Sequence, residues 1–309
     1  MKLFAGIDGG QSSTTAVIGD ETGRVLARGS AVAADEVGQG ADSTRLRDAL
    51  EAALADARDR AGLPTKACFT QVVAGISGYE GRVYGKAPEF LAECVTLMHD
   101  APIAHAGALG GDPGVLVIAG TGSVGYGLNE RGETCTIGGW GYLFGDQGSA
   151  FALVRDAASE AMRDTDAACE NHLCAGMLAY FGQPSLRALS RAFYAGDISR
   201  ERLAGFAVGI IGAAESGDER AAAHCRSSAQ ALVALASATA ARLAMQEPRV
   251  AFVGGLLRSS LMAGEIEAQL ARRFPAARRV EPRYDPAAGA LLLAYKAEGV
   301  AVSEITEVP

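Results

Sequence analysis

Two stretches of this chain read as strand, glycine- and hydroxyl-rich turn, and returning strand, and they lie 109 residues apart. In the first, KLFAGI (residues 2–7) stops at Asp8, GGQSS turns the chain, and TTAVI returns from Thr14 to Ile18, with a further turn at Asp20-Glu21-Thr22-Gly23 leading into RVLARG. In the second, GVLVIA (114–119) is followed by Gly120-Thr121-Gly122-Ser123, by VGYGL, and by the turn Asn129-Glu130-Arg131-Gly132. One offset superposes both pairs of turns, with Ser12 and Thr14 falling on Thr121 and Ser123. Such self-similarity points to a duplicated unit. A length of 309 residues leaves room for two domains of ordinary size.

Composition narrows the function. Hydrophobic residues make up 49% and charged residues 21%, which is globular and neither disordered nor coiled-coil. Glycine is in excess, 39 residues against a usual share of roughly 7%, so bare backbone is needed somewhere. A net charge of −8 argues against a nucleic-acid footprint and for a small-molecule ligand. No run of 18 apolar residues occurs, and the start MKLFAGIDGG lacks a secretory signal, so the expectation is a cytoplasmic protein with no membrane partner. The six cysteines (Cys68, Cys94, Cys135, Cys169, Cys174, Cys225) form no CxxC pair, which removes zinc and iron–sulfur sites and predicts reduced, mostly buried thiols.

Periodicity predicts a helix over 43–61, buried strands at 69–76 and 94–98, and a helix following Asp100 with Pro102 in its first turn. The second half reads as mostly helical, with periodic stretches at 146–163, 201–214 and 219–245. A strand at 249–253 precedes Gly254-Gly255, then come a helix at 261–273, a short strand near 278–281, and a last helix opened by Asp285-Pro286. The expected domains are 1–113 plus 286–309, and 114–285.

GTGSVG at 120–125 matches the dinucleotide-binding signature G-x-G-x-x-G. That signature needs a helix at its third glycine, whereas VGYGLNERGE alternates into a turn and predicts a hairpin. Such a hairpin still binds phosphate, because successive backbone N–H groups in a tight turn form an anion nest. Asp8, at the mouth of the first turn, would repel a phosphate unless a cation lay between them, which suggests magnesium held through water.

DGGQSST (8–14), AGISG (74–78), GTGS (120–123), GGWGYLFGDQGSAF (138–151), FVGGLL (252–257) and DPAAGAL (285–291) occur in the order of one family. The chain resembles the N-acetylglucosamine kinase branch of the actin/hexokinase/Hsp70 superfamily, grouped with the BadF/BadG/BcrA/BcrD ATPases. The resemblance covers nearly the whole chain. It implies an α/β fold of two actin-like (ribonuclease H-like) ATPase domains with a nucleotide cleft between them, each on a mixed five-stranded sheet. ATP and Mg2+ are the implied cofactors, the reaction is γ-phosphoryl transfer to a hexosamine hydroxyl, and a homodimer is expected.

Carried over by position, the resemblance assigns Gly9, Gly10, Gln11, Ser12, Ser13 and Thr14 to the terminal phosphates. Gly120, Thr121, Gly122 and Ser123 become the second phosphate loop, Gly254 and Gly255 the approach to adenosine, and Asp8 the magnesium residue. Asp100 would be the base that prepares the sugar hydroxyl. Ser77, Gly78, Thr121, Gly139, Trp140, Gly141 and Asp146 would complete the sugar contacts, with Trp140 as a core plug in the alternative; His105, on another helix face, is left out. Rival readings are an activator-type ATPase, which would need paired cluster cysteines, a non-catalytic nucleotide or sugar binder, and a zinc-containing sugar kinase, whose cysteine motif is absent.

The sequence departs from the family pattern at Gln11, where a glycine is usual, and at Gln147, where a glutamate is usual. Where the family places a sugar-binding asparagine, this chain offers Asp35 or Glu36, an acidic group better suited to a free 2-amino group than to an N-acetyl amide. An Asp35→Asn, Glu36→Gln double variant should therefore lose turnover of glucosamine relative to N-acetylglucosamine. Equal turnover of both sugars by variant and parent in a coupled assay removes this assignment.

Overall fold

The computed structural model describes residues 1–34, 40–302 and 304–307, so Asp35 and Glu36 lie outside the described residues. The chain divides into two units, 1–112 with 281–309, and 113–280. The backbone N–H groups of Arg283 and Tyr284 donate to Ala108 and Gly107, so the return to the first unit begins at Glu281, ahead of the helix start at 286.

In the first unit, β1 (Leu3–Gly9), β2 (Thr14–Asp20) and β3 (Arg24–Ala31) form an antiparallel meander. β4 (Phe69–Ile76) pairs parallel with β1, and β5 (Ala92–His99) pairs parallel with β4. Side chains alternate across a strand, so β1 sorts the layers. Leu3, Ala5 and Ile7 join Leu46, Leu50 and Ala53 of helix α1 (Arg45–Arg60) on one face. Phe4 joins Ile103 of α2 (Asp100–Leu109) and Leu291 of α11 (Pro286–Ala297) on the other. Gly6 and Asp8 belong to this second face.

The second unit repeats the plan. β6 (Gly114–Ala119), β7 (Ser123–Leu128) and β8 (Thr134–Gly138) form the meander. β9 (Arg249–Val253) and β10 (Arg278–Arg279) extend it in parallel. The strand orders β3-β2-β1-β4-β5 and β8-β7-β6-β9-β10 are the same, and in the first unit β11 (Thr306–Glu307) adds a short sixth strand beside β3. Helices α3 (Gly141–Phe144), α4 (Ala150–Asp166), α5 (His172–Phe181), α6 (Leu186–Ala195), α7 (Arg200–Gly205), α8 (Ala207–Glu215), α9 (Glu219–Arg242) and α10 (Ser260–Arg273) complete this unit.

The antiparallel β6–β7 hairpin excludes the dinucleotide-binding reading, since no helix begins at Gly125. That glycine serves packing instead: a Cβ there would lie 2.5 Å from Thr239 Oγ1 of α9. Two expectations are corrected. β5 is an edge strand, not a buried one, with Cys94 and Val95 exposed. The cysteines are free, but Cys225 alone is buried, and Cys68, Cys94 and Cys169 are exposed. A thiol tolerates either setting, so scattered spacing carried no information on burial. No helix among the described residues is long and apolar enough to cross a membrane.

Gly6 fixes the seat of α11. A Cβ there would fall 2.2 Å from Leu291 N and 2.3 Å from Ala287 O, both backbone atoms that cannot swing away. Gly6→Ala should destabilise the protein by about 3 kcal/mol, read from urea unfolding followed by circular dichroism. An unchanged midpoint means that α11 does not rest on the sheet there.

Candidate functional site

In parallel α/β sheets, ligands gather beyond the carboxyl ends of the strands. In the first unit these ends are Gly9 of β1, Ser77-Gly78 after β4, and Asp100 after β5. Ser77 N–H donates to Gly9 O at 3.0 Å, which ties the β4 exit to the first loop. Gln11, Ser12 and Ser13 are exposed in a turn closed by Gly10 N–H to Ser13 O, and exposed Gly78 takes φ 76°. Thr14 is corrected: it is fully buried and its hydroxyl donates to Val32 O at 2.7 Å, so it frames the loop rather than facing a phosphate.

Asp8 is mostly buried on the face of β1 that carries α2 and α11. Burial first, then the charges of Asp100 and Asp285, push its carboxyl up to about 7. The outer two carboxylates have basic partners. Asp285 caps α11 through Ala288 N–H and pairs with Arg28 at 2.6 Å, while Asp100 lies 2.8 Å from His99 Nδ1. Asp8 has no such partner among the described residues. The N-termini of α2 and α11, with their partial positive charge, oppose the repulsion only in part. Asp100 is the first residue of α2, and the cap of that helix is His99. His105 is buried on the same helix.

The second unit holds the other loop. Gly120 N–H bonds to Gly122 O, and Ser123 N–H donates to Asp146 Oδ1 at 3.2 Å, which leaves the N–H groups of Thr121 and Gly122 as the donors of the nest. Ser123, the counterpart of Thr14, is likewise buried, and its hydroxyl donates to Gln147 O at 2.8 Å. Asp146 was expected among the sugar contacts. It is 4% exposed, takes φ 58°, and its other oxygen accepts from Arg200 Nη2 at 3.3 Å, so it braces the loop from below. A Cβ at Gly122 would sit 2.8 Å from Asp146 Oδ2 and 2.9 Å from Arg200 Nη2, so a larger residue there has to displace that pair. Gly139 and Gly141, both at positive φ, bracket Trp140, which is 76% exposed and plugs no core.

Gly254, at φ 118°, presses on the base of this loop, with a Cβ there only 2.3 Å from Ala119 O. Beside Gly255 opens a pocket of about 680 Å³ lined by Thr121, Val208, Ile211, Glu215, Leu256 and Arg258. Its apolar wall and charged rim suit a nucleoside. A cavity of about 550 Å³ near Asn129, Leu243 and Pro248 lies at the opposite end of the sheet, away from the loops. Sequence reasoning did not single out His99, Arg200, Val208 or Glu215. His99 adjoins a strand-end aspartate, a signal that was readable; the other three come from helices whose packing partners no spacing reveals.

The sequence profile of the BadF/BadG/BcrA/BcrD ATPase family matches residues 5–294. The chain belongs to this family. The chain is 27% identical over 204 residues to an N-acetylmuramic acid/N-acetylglucosamine kinase of Clostridium acetobutylicum, covering 65% of this chain and 67% of that protein. It is 24% identical to an N-acetyl-D-glucosamine kinase of Dictyostelium discoideum, covering 96% and 99%. The crystal structure of a candidate N-acetylglucosamine kinase from Chromobacterium violaceum matches with a TM-score of 0.77 at 28% identity, covering 95% and 99%. A ROK family glucokinase from Streptomyces griseus shares the fold at a TM-score of 0.56 and 19% identity, covering 95% and 99%.

For this member of the BadF/BadG/BcrA/BcrD ATPase family, magnesium fits the donor set in kind. Among the described residues no three His, Cys, Asp or Glu side chains gather closely enough to hold a metal alone. Mg2+ characteristically uses one or two carboxylates and completes its shell with phosphate and water, and Asp8 is a mostly buried carboxylate that lacks a counter-charge among the described residues. Because its folded pKa lies above the ordinary aspartate range, the metal-free protein holds the proton longer than the unfolded chain does. That contribution to stability is present at low pH and is lost as pH rises from about 4 through 7. Asp8→Asn should therefore melt higher than the parent at pH 8 without magnesium, with the gap closing toward pH 4. A gap independent of pH in thermal melts would contradict the burial of that charge.

Proposed function

We propose that the protein is an ATP-dependent hexosamine kinase that transfers the γ-phosphoryl group to a hydroxyl, O6 in the simplest reading, of N-acetylglucosamine or glucosamine. The observation that carries this reading is the strand-end Asp100 beside Asp8 and the Gly9–Ser13 turn, in a chain whose relatives of matching length include an N-acetyl-D-glucosamine kinase. The Gly9–Ser13 turn and the Gly120–Ser123 loop surround the phosphates, the second through the free N–H groups of Thr121 and Gly122, with Thr14 and Ser123 holding the two turns in shape. The pocket beside Gly254-Gly255 takes the adenosine. Ser77, Gly78 and the Gly139-Trp140-Gly141 loop contact the sugar.

In the reaction the sugar oxygen attacks the γ-phosphorus, the bridging bond to the β-phosphate breaks, and the hydroxyl proton passes to Asp100. Mg2+, when bound at Asp8, supplies neutralisation of the charge on the transferring phosphoryl group. Catalysis is mainly positioning, since the loose transition state asks little covalent chemistry of the protein. A coupled ADP-release screen over N-acetylglucosamine, glucosamine, N-acetylmannosamine and glucose tests the substrate. Asp100→Asn should keep ATP binding and lose turnover by at least ~100-fold. Near-normal turnover would remove Asp100 from the reaction.

A further inference from the structure

We infer that His99 is a positioning residue for Asp100, an inference that rests on the kinase reading above. Its Nδ1 lies 2.8 Å from Asp100 Oδ1 and 3.1 Å from Ala101 N. One ring nitrogen carries either a proton or a lone pair, so it serves one of these partners at a time. The contact to the carboxylate is the shorter and is charge-assisted, and it takes precedence over the helix cap.

An aspartate at the first position of a helix otherwise swings freely about its side-chain torsions. A donor on Oδ1 fixes that swing and leaves the lone pairs of Oδ2 for an acceptor hydroxyl. Fixing matters because misplacement by ~1 Å costs ~100-fold in rate. The strand holds the donor in turn, since His99 is in register with Ile76 of β4 at the parallel β4–β5 pairing. The groups facing the ring are Asp100 on its own chain segment and Glu80 from the loop after β4, with Asp8 of β1 beyond Asp100. The hydrogen bond to Asp100 holds the imidazole above its usual range against desolvation, and Glu80 adds to it.

The test uses the full chain. His99→Leu is expected to lower kcat about 10-fold with KM for ATP and amino sugar unchanged. His99→Ser keeps a helix cap without placing a donor at the Nδ1 position, and should fall with Leu. His99→Asn, whose Nδ2 lies as many bonds from the backbone as Nδ1, should restore most of kcat. In an Asp100→Asn background, His99→Leu should cause no further loss, because the two residues act as a unit. Additive losses, or full activity in His99→Ser, overturn the inference.

A second measurement does not depend on activity. In an NMR titration the His99 ring should titrate lower in Asp100→Asn than in the parent, and an unchanged titration overturns the pairing. A parent that phosphorylates no amino sugar sinks the kinase reading, while the titration still decides whether His99 and Asp100 are paired.

Discussion

Of the three carboxylates gathered at one end of the first sheet, the outer two have basic partners and the inner one has none among the described residues. Arg28 answers Asp285 and His99 answers Asp100, but Asp8 sits between two helix N-termini with partial charges only. A buried carboxylate in that position either keeps its proton or waits for a cation. The close seating of α11 on Gly6 enforces the arrangement, because it brings Asp285 to the same face of the sheet as Asp8. The packing of one helix and the charge state of one side chain are therefore a single constraint.

The duplicated hairpins show which parts of such a loop are frame. Thr14 and Ser123 occupy equivalent positions, start the returning strand, are buried, and donate their hydroxyls to a backbone carbonyl further along the chain. The hydroxyl persists in both halves because it closes the turn from beneath. The parts that differ divide the labour: the first unit carries the carboxylates, while the second carries a neutral nest and an apolar pocket.

Much of this was legible in the sequence because it rests on local pattern. The strand–turn–strand periods, the shared offset, and the hairpin character of GTGSVG follow from alternation and turn residues alone, and the two sheets have the same strand order. What was not legible depends on who packs against whom. Nothing in CVTLM distinguishes an edge strand from a central one, because neither neighbours nor faces are encoded in a run of five residues. Asp146 reads as a ligand-facing acid until Ser123 and Arg200, distant in sequence, are seen to engage both of its oxygens.

Gln147 contributes to this frame through its backbone. The group that anchors Ser123 there is the backbone carbonyl, which any residue supplies, and the side chain of Gln147 points out to solvent. A glutamate in its place would add a negative charge beside the Thr121–Gly122 turn, where Asp146 already pairs with Arg200. With the amide the loop keeps its frame and loses none of its donors, and the local balance shifts toward binding an anion.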